Sequence, residues 1–165
     1  MKTFCLTTIT VVILLLFTNG LLAQNAQTKL NQVELMKQLI GSWKVDMGKD
    51  TVLFWDAKSF GTGLECYYKT VSKGKTLMEA KQLFGYDKKI DKYVAVNLVK
   101  GMDTEIWALW FISNIKYEIT YYSDISSPDK SSFKVDGEFK SPNVYAETFI
   151  INGKPVMTYT YTRIK

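Results

Sequence analysis

Leu39-Ile40-Gly41-Ser42-Trp43-Lys44-Val45-Asp46-Met47 is the stretch where the chain changes period. Upstream of it, Leu30, Val33, Met36 and Ile40 recur at helical spacing, with Leu39 beside them. Asn31 has the side chain of an N-cap, since its oxygen can accept from a first-turn amide, and Gly41 is a natural stop. Downstream, Trp43, Val45 and Met47 alternate with Ser42, Lys44 and Asp46, so the period falls to two and one face is apolar. The spacing predicts one short amphipathic helix that ends directly at a Gly-x-Trp and hands over to a strand.

The period of two then persists to the end. Strands are expected near 42–48, 51–57, 62–71, 76–86, 92–100, 104–112, 116–123, 131–140, 143–151 and 155–164. Turn chemistry separates them, as in Gly48-Lys49-Asp50, Lys73-Gly74, Asp87-Lys88-Lys89, Lys100-Gly101, Ser141-Pro142-Asn143 and Asn152-Gly153. No second helix long enough for a parallel crossover follows. The reading is all-β: an antiparallel up-and-down barrel of about ten strands with a short N-terminal helix. Closure is expected because it removes exposed strand edges. A two-sheet sandwich is the alternative.

Asn152-Gly153 reads as a two-residue type I′ turn that pairs Ile151 with Lys154. Carrying that register along both strands puts Val144, Ala146, Thr148, Ile150, Met157, Tyr159, Tyr161 and Arg163 on one face. Tyr145, Glu147, Phe149, Thr158, Thr160 and Thr162 fall on the other. The threonine row suits solvent, so the first set is expected inside. In the strand before it, Phe133, Val135 and Phe139 face in, and Lys134, Asp136, Glu138 and Lys140 face out.

Strands 92–112 are apolar on both faces. A turn at Gly101-Met102 groups Tyr93 and Ala95 with Ile106, Ala108 and Trp110, and Val94, Val96 and Leu98 with Trp107, Leu109 and Phe111. A large bare apolar patch is uncommon on a monomer. One face is therefore expected to meet a second subunit or the N-terminal segment, or else the strands bend and bury both faces in one chain.

Residues 1–23 read as a secretory signal peptide, with Lys2, an apolar run from Ile9 to Phe17, and cleavage near Ala23. That run is shorter than the ~20 residues a membrane span needs, so no span is expected in the mature chain. Residues 24–40 form a polar linker and the helix, and 41–165 the barrel domain. The location expected is secreted or periplasmic.

The chain has no histidine, two cysteines and a net charge of +5. The absence of histidine excludes histidine triads and histidine-ligated zinc or haem. Only Cys66 follows the leader, so no internal disulfide and no thiolate metal site is expected. No phosphate-cradling glycine loop or nucleophile elbow is present. Lysines are scattered among acids, which argues against nucleic acid as a partner, because phosphate binding wants clustered charge. No cofactor, metal or catalytic residue is expected. Glu65, Glu79, Glu105 and Glu118 sit in strands near lysines such as Lys69 and Lys81 and read as solvent-facing. Cys66, alternating with Leu64 and Tyr68, reads as a small apolar residue.

Leu39-Ile40-Gly41-Ser42-Trp43 resembles the helix-to-Gly-x-Trp entry of lipocalins and fatty-acid-binding proteins. Tyr159-Thr160-Tyr161-Thr162-Arg163 resembles their closing strand with its arginine. Gly85-Tyr86-Asp87 with Tyr93, and Asn152-Gly153-Lys154, are similar to a group of exported bacterial lipocalin-like proteins of unknown function. The chain departs from that group in having no arginine between Gly61 and Leu83 and no histidine before the Gly-x-Trp. The resemblance implies a barrel with an internal cavity, apolar ligands and no cofactor.

The candidate ligand-binding residues are Trp43, Phe133, Phe139, Ile150, Met157, Tyr159, Tyr161 and Arg163. Arg163 either holds an anionic headgroup or stacks on Trp43 and plugs the barrel end; the latter is favoured, since one cation–π stack is worth ~0.5–2 kcal/mol. The others form a cavity wall, apolar with a few hydroxyls to orient a ligand. The function expected is an exported binding protein for a small hydrophobic or amphiphilic ligand. The alternatives are an interaction module using strands 92–112, forming a homo-oligomer in one version, and a histidine-free enzyme using carboxylates and tyrosines.

Overall fold

The protein is described by a computed structural model covering residues 29–164. The expected leader and the first residues of the linker lie outside that range. The described chain is one short helix and ten strands that close into an antiparallel barrel. Helix α1 spans Gln32–Met36 and continues as a 3₁₀ turn, Lys37–Leu39. The strands are β1 Gly41–Gly48, β2 Thr51–Phe60, β3 Gly63–Ser72, β4 Lys75–Asp87, β5 Lys92–Val99, β6 Glu105–Phe111, β7 Lys116–Tyr121, β8 Phe133–Ser141, β9 Val144–Ile151 and β10 Lys154–Arg163. Each pairs with the next in sequence, and β10 returns to β1. The sandwich alternative is thereby excluded.

Asn31 caps α1 by accepting from the Glu34 amide at 3.2 Å. The helix lies across one barrel end, and Met36 and Leu39 are buried there. Gln32 ties it down with a reciprocal pair of bonds to the Phe111 backbone, at 2.7 and 3.0 Å. Trp43 donates its indole N–H to the Leu39 carbonyl at 2.9 Å. The Arg163 guanidinium stacks over Trp43 at 4.0 Å and donates to the carbonyls of Ile40, Gln38 and Pro142. Gly41 must be glycine for two reasons: its φ is +129°, and a Cβ would lie 2.3 Å from the guanidinium. Helix, indole and guanidinium together stopper this end.

The closing seam is short. β1 and β10 register only as Trp43↔Arg163 and Lys44↔Thr162, whereas β9 and β10 register over eight pairs. The Ile164 amide, just past β10, adds one bond to the Ser42 carbonyl at 2.7 Å.

Two registers differ from expectation by one residue. Asn152 and Gly153 both have positive φ, as a type I′ turn requires, and Ile151 pairs with Lys154 as predicted. The ladder then shifts between Pro155 and Met157. Pro155 has no N–H to offer the ladder, and Val156 enters as an extra residue, a β-bulge. Beyond it Tyr159 opposes Glu147 and Tyr161 opposes Tyr145. Directly opposed residues share a face, so the β9 assignment is inverted: Tyr145, Glu147 and Phe149 face in, and Ile150 does not. In the second case Tyr93 pairs with Leu109 and Ala95 with Trp107. Trp107, Leu109 and Phe111 thus face in beside Tyr93, while Val94, Val96, Ile106, Ala108 and Trp110 face out. Ala108 and Trp110 are nonetheless buried within the chain, and the Lys92 ammonium sits 3.2 Å over the Trp110 ring. Leu98 and Ile106 stay half-exposed.

Candidate functional site

One transverse row of residues makes the interior unusual. Tyr117 on β7 opposes Gly137 on β8, Gly137 opposes Glu147 on β9, and Glu147 opposes Tyr159 on β10. All four point inward. A Cβ on Gly137 would lie 2.1 Å from the Tyr117 ring, so the glycine exists to let that ring lie across β8. The Tyr117 hydroxyl thereby reaches over a whole strand and donates to Glu147 Oε1 at 2.7 Å. The next row towards the stoppered end is Phe139, Tyr145 and Tyr161. Tyr145 and Tyr161 stack at 4.3 Å with planes 7° apart, and Trp43 meets Tyr145 edge-on at 4.7 Å.

Glu147 is a carboxylate in an apolar, aromatic setting. Burial pushes its pKa above the ordinary 4.5, because the ion loses water; hydrogen bonding from Tyr117 and Tyr161 pulls it partly back. The same burial, with the Glu147 charge, holds the Tyr117 and Tyr161 phenols well above their usual range. Both phenols therefore stay protonated and act as donors at neutral pH.

Above this row lies a cavity of about 230 Å³. It begins at Leu39, the stopper, and extends to Met47, Thr70 and Met78 at the opposite end. Trp55, Trp107, Leu109, Phe133, Phe149 and Tyr159 contribute to its wall. Glu147 is the only carboxylate among the lining residues, and no lysine or arginine is among them. Polar atoms are few and mostly matched: Trp55 donates to Gln82 at 3.1 Å, and Tyr68 donates to Asn97 at 3.3 Å. Thr70 Oγ1 and Trp107 Nε1, both on lining residues, are buried without a partner among the described residues.

The expected wall residues divide into four groups. Phe133, Tyr159 and Tyr161 line the cavity. Trp43 and Phe139 are buried in the packed layer at its stoppered end. Met157 opposes Phe149 but is 41% exposed at the rim, and Ile150 is turned outward by the bulge. Arg163 lies behind the stopper, engaged with backbone carbonyls rather than with the cavity.

Neither known family models nor curated proteins match this chain.

Three of the four carboxylates expected to face solvent do so beside lysines. Glu65 meets Lys81, Glu79 meets Lys100, and Glu118 meets Lys134. Glu105 does not: it opposes the buried Asn97 on the inward face and accepts from it at 3.2 Å. Glu147, expected outside with the threonines, lines the cavity instead. The signal for it was local: Gly137 in an otherwise apolar inward series marks the place where a ring must cross, and a proline beside a two-residue turn warns of a bulge. Cys66 is buried with its thiol pKa pushed up by desolvation, as suits an inert packing residue.

Proposed function

We propose that the chain is an exported, lipocalin-like binding protein that holds a small hydrophobic or amphiphilic molecule inside the barrel. The observation that carries this is the cavity of about 230 Å³, walled by apolar and aromatic side chains above a stoppered end. A ten-strand barrel is wide enough that side chains need not fill it. An apolar pocket with a few convergent polar groups is the usual form of a small-molecule site. Each ligand methylene moved from water into it contributes ~0.8 kcal/mol, offset by the ordering cost of association. The apolar leader, with cleavage near Ala23, supports action outside the cytoplasm.

Native mass spectrometry of the protein, purified from an exporting host without delipidation, tests this directly. The expected result is an added non-covalent mass. Phenylnaphthylamine, a neutral apolar fluorophore, is also expected to bind and to quench Trp55 and Trp107. A bare chain that leaves this fluorophore in solution would overturn the proposal.

A further inference from the structure

A ligand's headgroup is chosen by the charges it meets. Among the residues lining this cavity, one carries charge at neutral pH when ionised, and it is negative. The single guanidinium of the chain lies behind the stopper, spread over three backbone carbonyls. A fatty-acid carboxylate would thus meet Glu147 with no cation among the lining residues. Two desolvated like charges cannot both stay ionised at contact, so one would have to take up a proton.

A cation meets the opposite situation. Glu147 is held in place by Tyr117 through a 2.7 Å bond, so its orientation is fixed before any ligand arrives. A carboxylate has about four lone-pair positions; the Tyr117 hydroxyl occupies one, leaving acceptors free. Tyr145, Tyr159, Tyr161 and Phe149 stand beside it in the cavity wall, and aromatic rings attract cations. A carboxylate inside an aromatic wall, with an apolar shaft leading to it, has the chemistry of an ammonium site.

We propose that the barrel selects a cationic amphiphile, with a primary ammonium head on Glu147 and an apolar tail along the shaft, and that it discriminates against carboxylate heads. This deepens the binding-protein reading and rests on it. The proton balance is consistent. Burial raises the Glu147 pKa in the unliganded barrel, and an incoming ammonium supplies a counter-charge that opposes this shift and favours the ionised form.

The test titrates the protein with decylamine, decanol and decanoate, three heads on one tail, at neutral pH. Displacement of phenylnaphthylamine is the readout. Decylamine is expected to displace it at about tenfold lower concentration than decanoate, because a charge-assisted bond replaces a like-charge contact. In Glu147→Gln that difference should collapse, while decanol stays within about threefold of its wild-type value, since the tail contacts are unchanged. Decanoate binding as tightly as decylamine would overturn the proposal while leaving the binding protein intact. So would a preference that survives Glu147→Gln. Failure of all three and of the fluorophore would remove the parent reading, and this one with it. The comparison of heads on the wild-type protein stands even if the variant does not fold.

Discussion

Glu147 is where residue chemistry and stability pull apart. Its carboxyl has a higher pKa in the folded chain than the ordinary 4.5. Between those two values the folded state holds a proton that the unfolded chain has released. Stability therefore falls as pH rises through that window, is lower above it, and is unaffected below 4.5, where both states are protonated. Glu147→Gln keeps the shape and an acceptor for Tyr117 but has no proton to lose. The difference in Tm between variant and wild type is expected to grow in the variant's favour from acid towards pH 8. Each 1 kcal/mol should shift Tm by roughly 2–4 °C in a chain of this size. Parallel melting curves across that range would contradict the assignment. Alternation alone hid this carboxylate. Alternation placed it beside Thr158 and Thr160, and alternation fails one residue after any bulge.

At the scale of elements, the sequence carried most of the architecture. Ten strands, their turns and the helix before Trp43 followed from period and punctuation, because Gly, Asn and Asp mark positive-φ positions that few other residues tolerate. What it withheld was register. Pro155 and Val156 break one ladder, and the five-residue β5–β6 connection shifts another, so inward and outward sets exchange without any change in strand position. The pairing of β1 with β10 was legible through Trp43 and Arg163, since a lone guanidinium near the chain end needs a partner. Arg163→Ala removes the stack and leaves the carbonyls of Gln38, Ile40 and Pro142 without their donor. It is expected to cost about 2–4 kcal/mol in chemical denaturation. Decylamine affinity should change by less than about threefold, because Arg163 is not part of the wall. A large loss of affinity with unchanged stability would return Arg163 to the ligand site.

The molecule as a whole has one core, one cavity wall and no disulfide among the described residues. Cys66 sits 1% exposed at the middle of β3, between Ala57 and Gln82. Because every strand is held on both sides, local fraying has little to act on there. Disulfide-exchange labelling of Cys66 at mildly alkaline pH is expected to proceed only at the rate or population of global unfolding, rising in parallel with denaturant. Rapid labelling of the native chain would mean that the wall opens locally at β3. Against this uniformity stands the seam. Two registered pairs and the Ile164–Ser42 backbone bond fasten β1 to β10, while the other strands are laddered along much of their length. A hoop fastened along so short a seam has a soft bore: its girth changes by splaying at the clasp and leaves the rest of the weave intact. The resting volume is then a lower bound on what the barrel can enclose, and guests of unequal bulk can share one wall without repacking it.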